Sequence, residues 1–90
     1  HGVVGMTRAA ALEVADKNIR INAVCPGAVE TPFLTADYDE SFLQMVAAMH
    51  PMKRLAQPQE VADTILWMCS DGASFLTGAA IALDGGYTAQ

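Results

Sequence analysis

Residues 19–31 read Ile-Arg-Ile-Asn-Ala-Val-Cys-Pro-Gly-Ala-Val-Glu-Thr, and this stretch constrains the fold more than any other. An alternating apolar run rich in β-branched residues stops at Pro26-Gly27, and a hydroxyl, Thr31, follows four residues after the glycine. Proline has no N–H to give to a sheet ladder, and glycine has no Cβ to hold another molecule away. The pattern predicts a strand over 19–24 whose carboxyl end is shaped for a flat ligand lying against backbone. Open α/β sheets collect ligands at that edge.

The flanking segments predict the rest of an α/β unit. Residues 3–16 carry helical spacing, and Gly5 with Ala9, Ala10, Ala11 and Ala15 flattens much of the helix surface for close packing. Lys17 suits the negative helix end, and Asn18 can take the left-handed conformation that closes it. Residues 28–39 read as irregular. Asp39 is placed to cap a helix over 40–49, which His50-Pro51 ends. Pro58 and Glu60 suit the first turn of a third helix reaching about residue 69, with Val61, Ala62, Ile65, Leu66 and Met68 on its buried side. A short turn over 73–76 precedes residues 79–83, a wholly apolar run of the kind found in strands covered on both faces. The order α-β-α-α-β predicts two parallel strands joined by a right-handed crossover.

Composition narrows the function classes. Apolar residues make up 52% and charged residues 17%, although a small free-standing domain should be more polar than average. That excess, with a first residue His1 and a helix lacking a capping residue ahead of it, predicts a slice of a longer protein. No run of about 18 apolar residues is present, so no membrane span is expected. The net charge of −5 argues against a nucleic-acid partner. Cys25 and Cys69 lack pairing logic and are expected as reduced thiols of a cytoplasmic protein. His1, His50, Cys25 and Cys69 have no metal-ligand spacing, so no metal is expected.

Four segments in order carry a resemblance to the short-chain dehydrogenase/reductase family: Gly2-Val3-Val4-Gly5-Met6-Thr7-Arg8, residues 19–27 with Thr31, Arg54-Leu55-Ala56-Gln57-Pro58-Gln59-Glu60-Val61-Ala62, and Thr77-Gly78 with Asp84-Gly85-Gly86. The resemblance covers the whole chain. It implies the C-terminal part of a Rossmann-like doubly wound parallel sheet and an NAD- or NADP-dependent oxidoreductase interconverting an alcohol and a carbonyl. The family's glycine-rich loop and its catalytic Asn, Ser, Tyr and Lys correspond to positions upstream of His1. No catalytic residue is therefore carried over, and the isolated ninety residues are expected to be inactive.

By this resemblance Pro26, Gly27, Val29 and Thr31 line the cofactor. Pro26-Gly27 faces the nicotinamide, Val29 meets the carboxamide through its backbone, and the Thr31 hydroxyl reaches the carboxamide or the pyrophosphate. A Gly27→Val change is expected to abolish dinucleotide binding while leaving the protein folded. Residues 28–57 resemble the family's substrate lid, where Phe33, Leu34 and Tyr38 suit a small apolar alcohol or ketone. His50 and Asn22 are expected to be structural, and Asp84 a turn-former. Family members are commonly homotetramers or homodimers. A non-catalytic oligomerisation module and an acyl-carrier-linked ketoacyl reductase remain as alternatives.

Overall fold

A computed structural model describes all ninety residues. In chain order it contains helix α1 (Gly2–Val14), strand β1 (Ala23–Pro26), a one-turn helix α2 (Pro32–Thr35), helices α3 (Glu40–Ala48) and α4 (Pro58–Met68), and strand β2 (Ala80–Leu83). Short 3₁₀ turns cover Ala15–Lys17, Asp71–Ala73 and Tyr87–Ala89. The chain divides into two compact units, His1–Cys25 with Thr64–Ile81 and Pro26–Asp63 with Ala82–Gln90.

The first unit holds the small-residue core: Ala11, Ala23, Met68 and Ala73 are buried, together with Thr7. Thr7 satisfies its hydroxyl by donating to the Val3 carbonyl at 2.7 Å. Helix α1 tightens into its 3₁₀ turn and closes at Asn18, which adopts the expected left-handed conformation at φ 59°. Arg20 donates to three carbonyls, those of Met68 (2.8 Å), Leu76 (3.2 Å) and Ser70 (3.3 Å). It thereby satisfies carbonyls at and beyond the end of α4, where no later helical N–H can. Asn22 is structural as expected. Its amide donates to Leu76 O at 2.9 Å and accepts from Ala79 N at 3.0 Å, tying down the approach to β2.

The strand begins four residues later than the alternation predicts. Over 19–22 the backbone bonds to side chains or to the loop before β2, as Ile21 N does with Thr77 Oγ1, and a regular ladder starts only at Ala23. The N–H groups of Ala23 and Gly27 donate to Ala79 O and Leu83 O at 2.8 and 3.0 Å. This register makes β1 and β2 parallel neighbours and turns odd-numbered residues of β1 toward β2. Pro26 therefore falls in register on the other edge, where its missing N–H breaks no bond with β2.

Three further expectations are corrected. The segment 28–39 is not wholly irregular, because Thr31 and Pro32 start the single turn α2. The side of α4 read as buried is mostly open: Ile65 is 42% and Leu66 68% exposed, and only Met68 is buried. Strand β2 alternates in exposure along Ala80–Leu83 rather than being covered on both faces.

In the second unit the helix starts follow their chemistry. Asp39 accepts from Phe42 N at 2.9 Å and caps α3. Ahead of α4, the Glu60 carboxylate reaches back to Gln57 N at 2.8 Å, one half of a capping box, and holds Arg54 in a two-pronged pair at 2.8 and 2.9 Å. Pro58 occupies the first helical position, where an N–H has no partner to lose.

Candidate functional site

The turn after β1 is held firmly from one side. Gly27 N bonds Leu83 O, and an isolated parallel bridge joins Val29 to Ala56 through Glu30 N to Ala56 O (2.8 Å) and Ala56 N to Ala28 O (2.9 Å). The Gln57 side chain adds a bond to Glu30 Oε2 at 2.6 Å. In such a bridge Val29's own N–H and C=O point away from Ala56. Its carbonyl accepts Thr31 N at 2.9 Å, and its N–H donates to no group of the chain.

Thr31 completes the turn. Its carbonyl starts α2 by accepting from Leu34 N and Thr35 N, while its hydroxyl caps none of the helix's N–H groups. Threonine at this position ordinarily spends its side chain on such a cap. Here the half-buried hydroxyl is left without an intramolecular partner. Val29 N–H and Thr31 Oγ1 are thus two unspent hydrogen-bonding groups, two residues apart, on backbone pinned from behind.

The absence of a side chain at Gly27 has an explanation within the second unit itself. A Cβ there would stand 3.1 Å from the Asp84 Cα, 3.1 Å from His50 Nε2 and 3.2 Å from the Asp84 Cβ. The expectation that Gly27→Val spares the fold is therefore revised, because a larger residue requires the Asp84 backbone and the His50 ring to shift by a few tenths of an ångström or more. Pro26 is exposed at the strand end.

The residues expected to form a lid divide. Phe33 is 85% exposed, and Tyr38, 47% exposed, stacks on Phe42 with ring centroids 4.4 Å apart and planes 20° apart. Leu34 is half-buried. These apolar groups do not form a core within the second unit; they present a surface. No Lys or Arg occurs from Ala28 to Met52.

A cavity of about 90 Å³ is lined by Gly27, Ala28, His50, Met52, Arg54 and Asp84, among others. That is room for a few waters and well short of the ~300 Å³ at which ligand pockets begin. A larger hollow of about 420 Å³ in the first unit, among Arg20, Ile21, Asn22, Val24, Ile65, Met68 and Cys69, touches none of the expected site residues. Gly27 alone of those residues borders a cavity.

Asp84 behaves as a turn-former. Its carboxylate accepts from Thr88 Oγ1 (2.7 Å), Gly86 N (3.1 Å) and Thr88 N (3.2 Å), and the Thr88 hydroxyl above all holds it ionised below the usual carboxylate range. Gly85 and Gly86 follow in the left-handed region at φ 60° and 91°. His50, expected to be structural, is the only buried residue of the second unit. The signal available was its position directly before Pro51, at the return of the lid segment.

Comparison with known proteins follows the same lines. Residues 1–88 match the family model described as enoyl-(acyl carrier protein) reductase. Cyclohexanol dehydrogenase of Acinetobacter sp. (strain SE19) is 52% identical over 90 residues, which are all of this chain and 34% of the relative. The 2,5-dichloro-2,5-cyclohexadiene-1,4-diol dehydrogenase of Sphingobium indicum is 45% identical over 99% of this chain and 36% of its own length. The solved structure of ElxO with NADP bound superposes with a TM-score of 0.91 at 38% identity, over the whole of this chain and 37% of ElxO. The chain spans about a third of the length of these relatives. No helix is long and apolar enough to cross a membrane.

Proposed function

Because this chain belongs to the short-chain dehydrogenase/reductase family, we propose that it is the nicotinamide-side turn and substrate lid of an NAD(P)-dependent alcohol dehydrogenase. The observation that carries this reading is the pair of unspent groups at Val29 and Thr31. A carboxamide both accepts and donates, so Val29 N–H, the Val29 carbonyl and the Thr31 hydroxyl match the groups it offers. Pro26 and Gly27 shape the strand end beside them. The dinucleotide supplies hydride acceptance or donation. This segment supplies orientation and, through the lid, exclusion of water. The proton-transfer machinery is assigned to the remainder of the subunit, since no Tyr-x-x-x-Lys occurs in these ninety residues; by themselves they are inactive.

For the substrate we propose a secondary alcohol on a six-membered carbocycle, or the matching ketone. Two relatives carry such rings in their names, and the exposed Phe33 and Tyr38, with the half-buried Phe42, offer apolar contact. The description of the matching family model favours a second reading, a reductase of carrier-bound acyl chains. The lid argues against it. From Ala28 to Met52 it bears Glu30, Asp37, Asp39 and Glu40 and no cation, and of the two cations that follow, Lys53 donates to the Ala48 carbonyl and Arg54 pairs with Glu60. The free thiols of Cys25 and Cys69 suit the cytoplasm. The exposed Leu12 and Phe75 suit burial by the rest of the subunit and by identical subunits in a dimer or tetramer.

The test uses the full-length protein that carries this segment. Titration with NAD(H) and NADP(H), followed by nicotinamide fluorescence, should give saturable binding of one pair, and cyclohexanol should be oxidised with that cofactor. Failure to bind either dinucleotide would overturn the reading. Binding with turnover of acyl-carrier thioesters alone would replace the substrate assignment with the second reading.

A further inference from the structure

The centre of the second unit is a histidine rather than an aliphatic side chain. His50 is 7% exposed, and its Nδ1 lies 2.9 Å from the Val46 carbonyl in the last turns of α3. A carbonyl can only accept, so Nδ1 carries the proton and, in the neutral ring, Nε2 presents a lone pair. Nε2 stands 3.1 Å from where a Gly27 Cβ would be. It borders the small cavity beside Gly27 and Asp84 and has no hydrogen-bond partner in the chain. The ring thus fills the space that a side chain at position 27 would take.

The residues after His50 dock on the turn that follows β2. Pro51 Cγ would lie 3.1 Å from a Cβ on Gly86, Met52 N donates to Gly85 O at 3.1 Å, and the Tyr87 ring tilts against the imidazole at 5.4 Å. The charges around the cavity are already matched. Arg54 pairs with Glu60, and Asp84 is taken up by Thr88 and Gly86, so none competes for Nε2. The outgoing arm of the same segment, with Phe33 and the Tyr38–Phe42 stack, has no comparable anchor. Beyond the Val29–Ala56 bridge the lid segment is therefore open over Phe33 to Tyr38 and fastened again at His50, and that second fastening lies against Gly27.

We infer that His50 is a positioning residue. By holding the last turns of α3 through Val46 and bearing on Gly27, it fixes where the lid closes relative to the turn that receives the carboxamide. This assignment rests on the dehydrogenase reading above. Removing the bond to Val46 should loosen closure over the substrate and leave Val29 and Thr31 in place.

In the full-length protein, His50→Phe keeps a ring and discards the Nδ1 donor, whereas His50→Asn keeps a donor close to the position of Nδ1. His50→Phe is expected to raise KM for the alcohol about five- to tenfold, with the dinucleotide Kd changed less than about twofold, and His50→Asn to restore KM to within about threefold. A merely structural role would lower melting temperature in both without separating their KM values. Equal KM in wild type and His50→Phe, assayed well below the melting temperature, overturns the proposal. Should His50→Phe not fold, His50→Gln takes its place, and equal KM for Gln and Asn overturns it likewise. Amide exchange over residues 40–49 separates this failure from failure of the functional reading. Faster exchange in His50→Phe supports the fastening whether or not the protein binds a dinucleotide, and unchanged exchange overturns it.

Discussion

Both strands of the sheet run into turns that contain glycine, and the two turns dispose of their polar groups in opposite ways. After β2, Asp84 draws in Gly86 N, Thr88 N and Thr88 Oγ1, so the turn consumes its own hydrogen-bonding capacity. After β1, Leu83 and Ala56 hold the backbone from one side, yet Val29 N–H and the Thr31 hydroxyl remain unspent. A turn that closes on itself serves the fold. One that is braced from behind and left polar in front is prepared for something else to bond. Glycine content does not distinguish them; the accounting of donors does.

The largest effect that tests this contrast is at Gly27. Gly27→Val should destabilise the full-length protein by about 1–3 kcal/mol through overpacking against the Asp84 backbone, read as a fall in melting temperature of several degrees. A variant that kept its melting temperature and lost only dinucleotide affinity would return Gly27 to the purely ligand-facing role its sequence implies.

Asp84→Ala should come next, lowering the melting temperature by less than Gly27→Val as three donors lose their acceptor, with dinucleotide affinity unchanged. A loss of affinity there would blur the division between the two turns. Thr31→Val should do the converse: dinucleotide Kd rises about fivefold, equivalent to about 1 kcal/mol, and calorimetry finds no change in melting temperature.

The smallest effect concerns the brace behind the turn after β1. Arg54 and then the Gln57 N–H hold the Glu60 carboxyl down at about 2. Its folded value lies below its ordinary one of 4.5, so the pair stabilises the native state above that pH, and the contribution drains away as pH falls toward about 2. Glu60→Gln should flatten the fall in melting temperature between roughly pH 5 and 2.5. Both side chains are nearly half exposed, which keeps the effect small.

Much of the framework was legible because local chemistry fixes it. Asp39 before Phe42 and Glu60 after Gln57 each announce a helix start through a hydrogen bond that spans three residues, and Asn18 after Lys17 announces a helix end by its left-handed backbone. The start of β1 was not legible, because Asn22 and Thr77 side chains take over bonds that a regular ladder would make. Helix α2 was missed although Thr31-Pro32 repeats the signal used correctly at Pro58. At the candidate site the motif singles out Pro26, Gly27, Val29 and Thr31, but it does not reveal the packing against Gly27. That packing depends on His50, 23 positions away in sequence, and no periodicity links the two.

The Arg20 clasp has a consequence for how the chain is made. Its last carbonyl belongs to Leu76, 56 residues later. At ribosomal speeds of about 5–20 residues per second, Arg20 waits roughly 3–11 s for that partner to be synthesised. For about the same interval β1 has no β2 to pair with, and a strand edge left open on a nascent chain is prone to stick to its neighbours. Chaperone demand during translation should therefore be concentrated on this gap, and it should end once β2, through Leu83, is free to fold.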